Sequence, residues 1–308
     1  MVPQPGDLTS FPTSGATVLE LLDISKVHRG GNRAVDGITM SLRPGLIGLL
    51  GPNGAGKSSL MRVAATITRP TSGQVRFEGV DVVSRPNALR RVLGYLPQDF
   101  GVYPNLTARE FLAYLAAAKG ISARSAKARI DELLHLVNLT GALTRPLGRY
   151  SGGMLRRVGI AQALLGDPRV IIVDEPTAGL DPEERVRLRN LLSDLSADRV
   201  VLVSTHIVSD VDSVAADIAV VARGRLLRRG APEELLRDVD GHVWEVTVTA
   251  DEVDAVRAAH AVSRVVRTAA GARLRLLSPT RPSADAVPVA PDLEDAYLGI
   301  VNGLAVRR

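Results

Sequence analysis

The sequence contains no cysteine, which removes a disulfide framework, thiolate catalysis and cysteine-ligated zinc together. Aromatic residues make up only 3% of the chain, poor material for stacking single-stranded bases. Lysine is scarce as well: Lys26, Lys57, Lys119 and Lys127 are the only four, so nearly all of the 38 basic residues are arginine. These arginines are scattered, with no basic run longer than two, and the net charge of +5 therefore does not mark a nucleic-acid surface. Apolar runs such as Leu46 to Leu50 and Val170 to Val173 fall far short of the ~18 residues that cross a bilayer. No basic residue precedes Lys26 and no apolar core marks a secretory signal. These absences predict a soluble protein of a reducing compartment.

What remains is ordinary globular composition, 45% hydrophobic and 23% charged, in a length of 308 residues that suits two domains. Residues 1–16 are rich in Pro, Ser, Thr and Gly without periodicity and read as a flexible tail. From Val18 onward, short apolar runs alternate with amphipathic segments. Val18 to Leu22, Gly37 to Leu42, Leu46 to Leu50, Val170 to Val173 and Val200 to Val203 read as strands, the last two as buried parallel ones. Thr107 and Glu110 fit a capping box, with Leu106 and Phe111 as its hydrophobic staple, and predict a helix after Thr107. The alternation argues for an α/β core. Beyond Leu236 the pattern changes: a strand at Val243 to Val248, a helix over Ala250 to Arg264, a hairpin over Val265 to Leu277, and a short helix near Leu293 to Val301. The expected division is a main domain over 17–236 and a small α+β appendage over 237–308.

Gly51-Pro52-Asn53-Gly54-Ala55-Gly56-Lys57-Ser58 matches the phosphate-loop pattern G-x-x-x-x-G-K-[ST], between a strand and a helix beginning at Ser59. Glycines let backbone N–H groups crowd an anion, and the helix N-terminus adds its positive dipole end. Lys57 supplies a point charge to the β- and γ-phosphates, and the Ser58 hydroxyl is placed for Mg²⁺. With 28 glycines and 4 lysines in the chain, a chance match is about four in a thousand. Val170 to Val173 then runs into Asp174-Glu175, two carboxylates at the strand end where parallel sheets bind ligands. Asp174 would hold Mg²⁺ through a water, and Glu175 would orient or deprotonate the attacking water. A solvated strand end is the competing explanation for the carboxylates taken alone.

Tyr150-Ser151-Gly152-Gly153-Met154 opens a further helical segment about 20 residues before the acidic strand. Here the chain resembles the ATP-binding subunits of ABC transporters, whose signature is usually written LSGGQ. Gln98 in YLPQDFG, Gly179-Leu180-Asp181 and His206 in VSTH follow in the family's order, so the likeness covers about residues 18–235. The resemblance implies a P-loop fold with a RecA-like parallel-sheet subdomain, an N-terminal antiparallel β subdomain and a helical subdomain. It also implies an ATPase that binds ATP and Mg²⁺ and works as a homodimer or heterodimer. In such a pair Ser151, Gly152, Gly153 and Met154 close over the partner's ATP, and Asp181 lies at the dimer seam. Gln98 would reach Mg²⁺ or the attacking water, and His206 would contact the γ-phosphate and steady Glu175.

Two departures from the family pattern stand out. No Phe, Tyr or Trp occurs in residues 20–35, where the family stacks adenine, and His28 holds the nearest position. Met154 replaces the usual Gln of the signature and Tyr150 the usual Leu. The tail Leu293-Glu294-Asp295-Ala296-Tyr297-Leu298 resembles ATPases paired with ABC-2-type membrane subunits, including daunorubicin-resistance exporters. That likeness implies export through separate permease subunits, from the cytoplasmic face of a bacterial membrane. Phe100 to Leu106 and the helix after it would line the groove that meets those subunits. A soluble ABC ATPase acting on the ribosome or nucleic acid is the alternative, against which stand the single cassette and the separation of only 94 residues from Lys57 to Ser151. A P-loop kinase would leave Ser151 to Gly153 and His206 unexplained.

Overall fold

The computed structural model describes residues 18–268 and 271–304; the amino-terminal segment read above as a flexible tail lies outside them. The first half contains β1 (Leu19–Val27), β2 (Arg33–Leu42), β3 (Gly45–Leu50), α1 (Lys57–Ala64), β4 (Ser72–Phe77), β5 (Val80–Asp81), α2 (Asn87–Arg90) and β6 (Leu93–Leu96), then helices α3 (Ala108–Ala118) and α4 (Ala123–Leu136). After these come α5 (Gly152–Leu164), β7 (Val170–Asp174), α6 (Pro182–Leu195), β8 (Val200–Thr205), β9 (Asp217–Ala222), β10 (Arg225–Gly230) and α7 (Pro232–Arg237). The remainder is β11 (Val243–Val248), α8 (Val253–Ala259), β12 (Ala261–Thr268), β13 (Gly271–Leu277), β14 (Val287–Pro288) and α9 (Leu293–Val301).

A six-stranded sheet in the order β10-β9-β3-β8-β7-β6 forms the centre, parallel except for β10. Its strands are apolar on both faces because both are covered. Leu46, Leu50, Ile171, Val173, Val201 and Val203 face the core shared with α3, α4, α5 and α6. Their neighbours Ile47, Leu49, Val170, Ile172, Val200 and Leu202 face α1 and the antiparallel sheet β2-β1-β4-β5. The period of two thus divides each strand between two cores. The ladder pairs Leu50 with Thr205, Asp174 with Ser204 and Leu96 with Val173, so β3, β8, β7 and β6 end side by side.

Thr107 caps α3 in a complete capping box with Glu110, as its spacing predicts. β11 and α9 coincide with the expected segments. The helix expected over Ala250 to Arg264 is a correction: α8 is shorter, and Ala261 to Arg264 already belongs to β12. Pairing of β12 with β13 decides this, since it lets the β-branched Val262 and Val265 reach the small core of Val246, Leu274 and Leu276. The tail helix α9 packs on β12 and β13 and also on α7, β9 and β10, so Leu293, Ala296 and Ile300 share the main core.

Fully buried Asp295 on α9 bonds to Ser263 Oγ, to Arg275 Nε at 2.9 Å and Nη2 at 2.6 Å, and to the Asp292 N–H. Burial pushes its carboxyl up, but Arg275, Asp292 and Ser263 outweigh that and hold it below the ordinary value. Its contribution to stability is therefore present above the unfolded carboxyl pKa and is lost as pH falls through the lower folded value. Asp295→Ala leaves Arg275 without its buried partner and is expected to destabilise the fold by about 3–5 kcal/mol. A thermal melt within a degree of the parent would contradict the coupling.

Candidate active site

The phosphate loop crosses from β3 to α1 under tight steric control. A Cβ at Gly51 would stand 2.1 Å from the Val221 carbonyl oxygen. Gly56, the N-cap of α1, has φ of 99°, and a Cβ there would stand 2.0 Å from the Ala34 carbonyl oxygen. No other residue type fits either place. The loop lines a cleft of about 340 Å³, walled by His28, Asn32, Ala34, Asn53, Gly54, Ala55, Gly56, Lys57, Ser58, Ser59, Gln98 and Glu175. Helix α1 begins at Lys57, two residues before the expected Ser59, so Ser58 and Ser59 occupy its first turn.

Three strand ends bring the reactive groups together. Lys57 Nζ donates to the Gly51 carbonyl at 2.7 Å and the Pro52 carbonyl at 3.2 Å, and stands 3.5 Å from Glu175 Oε1. Glu175 Oε2 meets His206 Nδ1 at 2.8 Å. Both Lys57 and Glu175 are buried, whereas the imidazole is 42% exposed. Glu175 has φ of 49°, a left-handed conformation that costs a non-glycine residue about 1–3 kcal/mol. Its N–H is held by Ser204 Oγ at 2.9 Å, while Ser204 Oγ also donates to Asp174 Oδ1. A carboxylate fixed between an ammonium and an imidazole, at the edge of a phosphate cradle, is suited to orienting water and accepting its proton.

Not every expected residue joins the cleft. Asp174 is buried behind its wall, and His206 reaches it only through Glu175. His28 does line it, with Nε2 2.9 Å from Ser59 Oγ. Ser151 and Gly152 are exposed and lie outside the wall of their own chain's cleft. The Ser151 hydroxyl caps α5 by accepting from the Met154 N–H at 3.2 Å, and Met154 packs on the core. Asp181 is the exposed N-cap of α6, accepting from the Glu184 N–H at 2.9 Å.

Two residues escaped the sequence reading. Arg156, buried in α5, donates to the carbonyls of Pro97, Gln98, Asp174, Glu175 and Pro176. Burial pushes its guanidinium pKa down against the opposing charges of Asp174, Glu175 and Asp99. In the sequence it looks like half of a solvated Arg pair; the available signal was its helical face, shared with buried Ile160 and Ala163 at i+4 and i+7. Asp210, also buried, accepts from Thr177 and Thr205 hydroxyls and so ties the chain after Glu175 to the chain before His206. A lone acidic residue in a short turn gave no such signal.

Comparison with known proteins agrees with this geometry. The ABC transporter family model matches residues 35–178. A daunorubicin resistance ATP-binding protein of Streptomyces coeruleorubidus is 33% identical over 285 residues, 92% of this chain and 87% of that protein. The chain belongs to the ABC transporter ATP-binding family. The rat ATP-binding cassette sub-family A member 7 is 37% identical over 271 residues, but the chain spans only 12% of that protein's length. A solved ATP-binding subunit of an ABC transporter superposes with a TM-score of 0.65 at 29% identity, covering 72% of this chain and 92% of its own. This ABC ATPase thus has the P-loop fold of its family, binds ATP and hydrolyses it. No helix among the described residues is long and apolar enough to cross a membrane.

Proposed function

We propose that this ABC ATPase powers export through separate membrane-spanning subunits of the ABC-2 type, at the cytoplasmic face of a cell membrane. The observation that carries this reading is the likeness to a daunorubicin resistance ATP-binding protein, which extends over 92% of the chain and so includes the appendage. The surface supports it too. Phe100, Val102 and Leu106 pack inward, contrary to a groove built from the whole segment, but Tyr103 and Tyr114 stand edge to face, each 53% exposed. Such an aromatic pair suits an apolar partner helix.

In the working cycle, ATP phosphates lie on the N–H groups of residues 53–58 and displace Lys57 Nζ from the loop carbonyls and from Glu175. Glu175 is then free to hold the attacking water and accept its proton, becoming a neutral carboxyl, while His206, 2.8 Å from Oε2, steadies it. Ser58 and Gln98 share the cleft wall and offer a hydroxyl and an amide oxygen, which fits a hard cation such as Mg²⁺; buried Asp174, next to Glu175 in the chain, would act on it through a water. No cluster of three His, Cys, Asp or Glu occurs among the described residues, in keeping with an ion held largely by substrate phosphates. When bound, Mg²⁺ would supply charge neutralisation at the phosphates. Ser151 and Gly152, exposed and outside their own cleft, close on the ATP of a second copy or a related chain, with Asp181 at the seam.

His28 leaves the base side of the cleft with a small ring already bonded to Ser59. His28→Tyr adds a larger stacking face and is expected to tighten ATP binding about threefold to tenfold. A dissociation constant that stays put or rises in a fluorescence titration removes His28 from the base site.

The export reading is tested by purifying the tagged chain from detergent-solubilised membranes of its source. A co-purifying protein with several apolar spans of about 20 residues is expected. Recovery with ribosomes or nucleic acid instead would point to the soluble class of ABC ATPase.

A further inference from the structure

We propose that Arg156 is a positioning residue that couples the two ATP sites of the paired ATPase. It sets the backbone of Gln98 and Glu175 in its own chain according to whether Ser151, on the same helix, is engaged with the nucleotide of the other chain. The inference rests on the two-chain reading above and adds to it a route between the sites.

The hydrogen bonds of Arg156 go entirely to main-chain oxygens. Pro97 and Gln98 contribute two of these acceptors, at 3.0 and 2.9 Å, from the end of β6. Asp174, Glu175 and Pro176 contribute the others, from the end of β7. A guanidinium has five N–H donors in a rigid plane, so one side chain can span both strand ends. The carboxylates of Asp174, Glu175 and Asp99 act on it only through space, so what Arg156 holds by hydrogen bonds is backbone alone.

Arg156 follows Ser151 by five residues, about 7.5 Å along the axis of one stiff helix. The helix has little slack against the sheet. A Cβ on Gly159 would stand 2.6 Å from Leu96 Cδ1, and Gln162 Nε2 bonds to the Tyr95 carbonyl at 2.7 Å. A shift of the Ser151 turn would be carried along the helix to Arg156 and, through its hydrogen bonds, to five carbonyls. One of those belongs to Glu175, whose left-handed backbone needs outside support. Another belongs to Gln98, in the cleft wall.

The test compares the full-length chain with Arg156→Lys. The ammonium keeps the charge but has three donors and no plane, so it cannot hold both strand ends. ATPase rate against ATP concentration is expected to give a Hill coefficient near 2 for the parent and about 1 for the variant. Hydrogen exchange supplies a second readout in the Glu175→Gln background. With ATP, the Ser151 to Met154 amides of the variant should still gain protection, while those of Gln98, Asp99, Thr177 and the substituted position 175 should not. A merely structural arginine predicts faster exchange throughout, before ATP is added, and an unchanged Hill coefficient. Arg156→Gln, neutral and smaller, replaces the lysine variant if that chain fails to fold. A variant that retains the parent's Hill coefficient overturns the coupling. A parent with a Hill coefficient of 1 whose Glu175→Gln form stays monomeric with ATP overturns the two-chain reading itself.

Discussion

Glu175→Gln is expected to slow ATP turnover by about 10²- to 10⁴-fold while leaving ATP bound. The amide matches the carboxylate in size and can still meet Lys57 Nζ and the His206 ring, which stand 3.5 and 2.8 Å from the native oxygens. It cannot take a proton from water. Binding, assigned above to the N–H groups of the phosphate loop and to Lys57, is expected to survive. Turnover stops before the step that would let two chains separate, so ATP should convert the variant to a stable dimer. Phosphate release and light scattering check the two halves of this expectation. A variant that releases phosphate at the parental rate takes Glu175 out of the reaction.

Lys57→Ala acts at the earlier stage. The ammonium is buried against the Gly51 and Pro52 carbonyls and beside Glu175, in the wall of the cleft. Deleting it removes a charged hydrogen-bond donor worth about 1.5–3 kcal/mol, which corresponds to about a 10- to 100-fold weaker ATP dissociation constant. The two variants should thus divide cleanly, one binding ATP without turnover and the other binding it about 10- to 100-fold more weakly. A filter-binding assay decides it, with a thermal melt to confirm that the alanine variant is folded. Binding undiminished in a folded variant contradicts the role given to the phosphate loop.

The features legible in the sequence are contiguous ones. The phosphate loop is eight successive residues whose conformation is dictated by glycines that no Cβ could replace, Gly51 and Gly56 above all. The capping box at Thr107 and Glu110 closes within one helical turn. The strands with apolar residues on both faces are readable because each is buried from both sides, whatever covers them. Where a segment's own pattern was weak, tertiary pairing prevailed: Ala261 to Arg264 looks helical after an alanine-rich stretch, but β13 offers it a ladder of hydrogen bonds.

Local sequence therefore determined the phosphate cradle, the strand–helix alternation and, through the order of its motifs, the family. It also placed a carboxylate at the end of β7 and an imidazole after β8. The pairing of His206 with Glu175 and the outward role of Ser151 came with the family resemblance; only the tertiary structure decided that Lys57 stands beside Glu175 and that Arg156 joins the ends of β6 and β7. The reason is the parallel sheet. It lays strands distant in sequence side by side in one register, so their C-terminal ends gather at one edge, and no local pattern records which ends become neighbours.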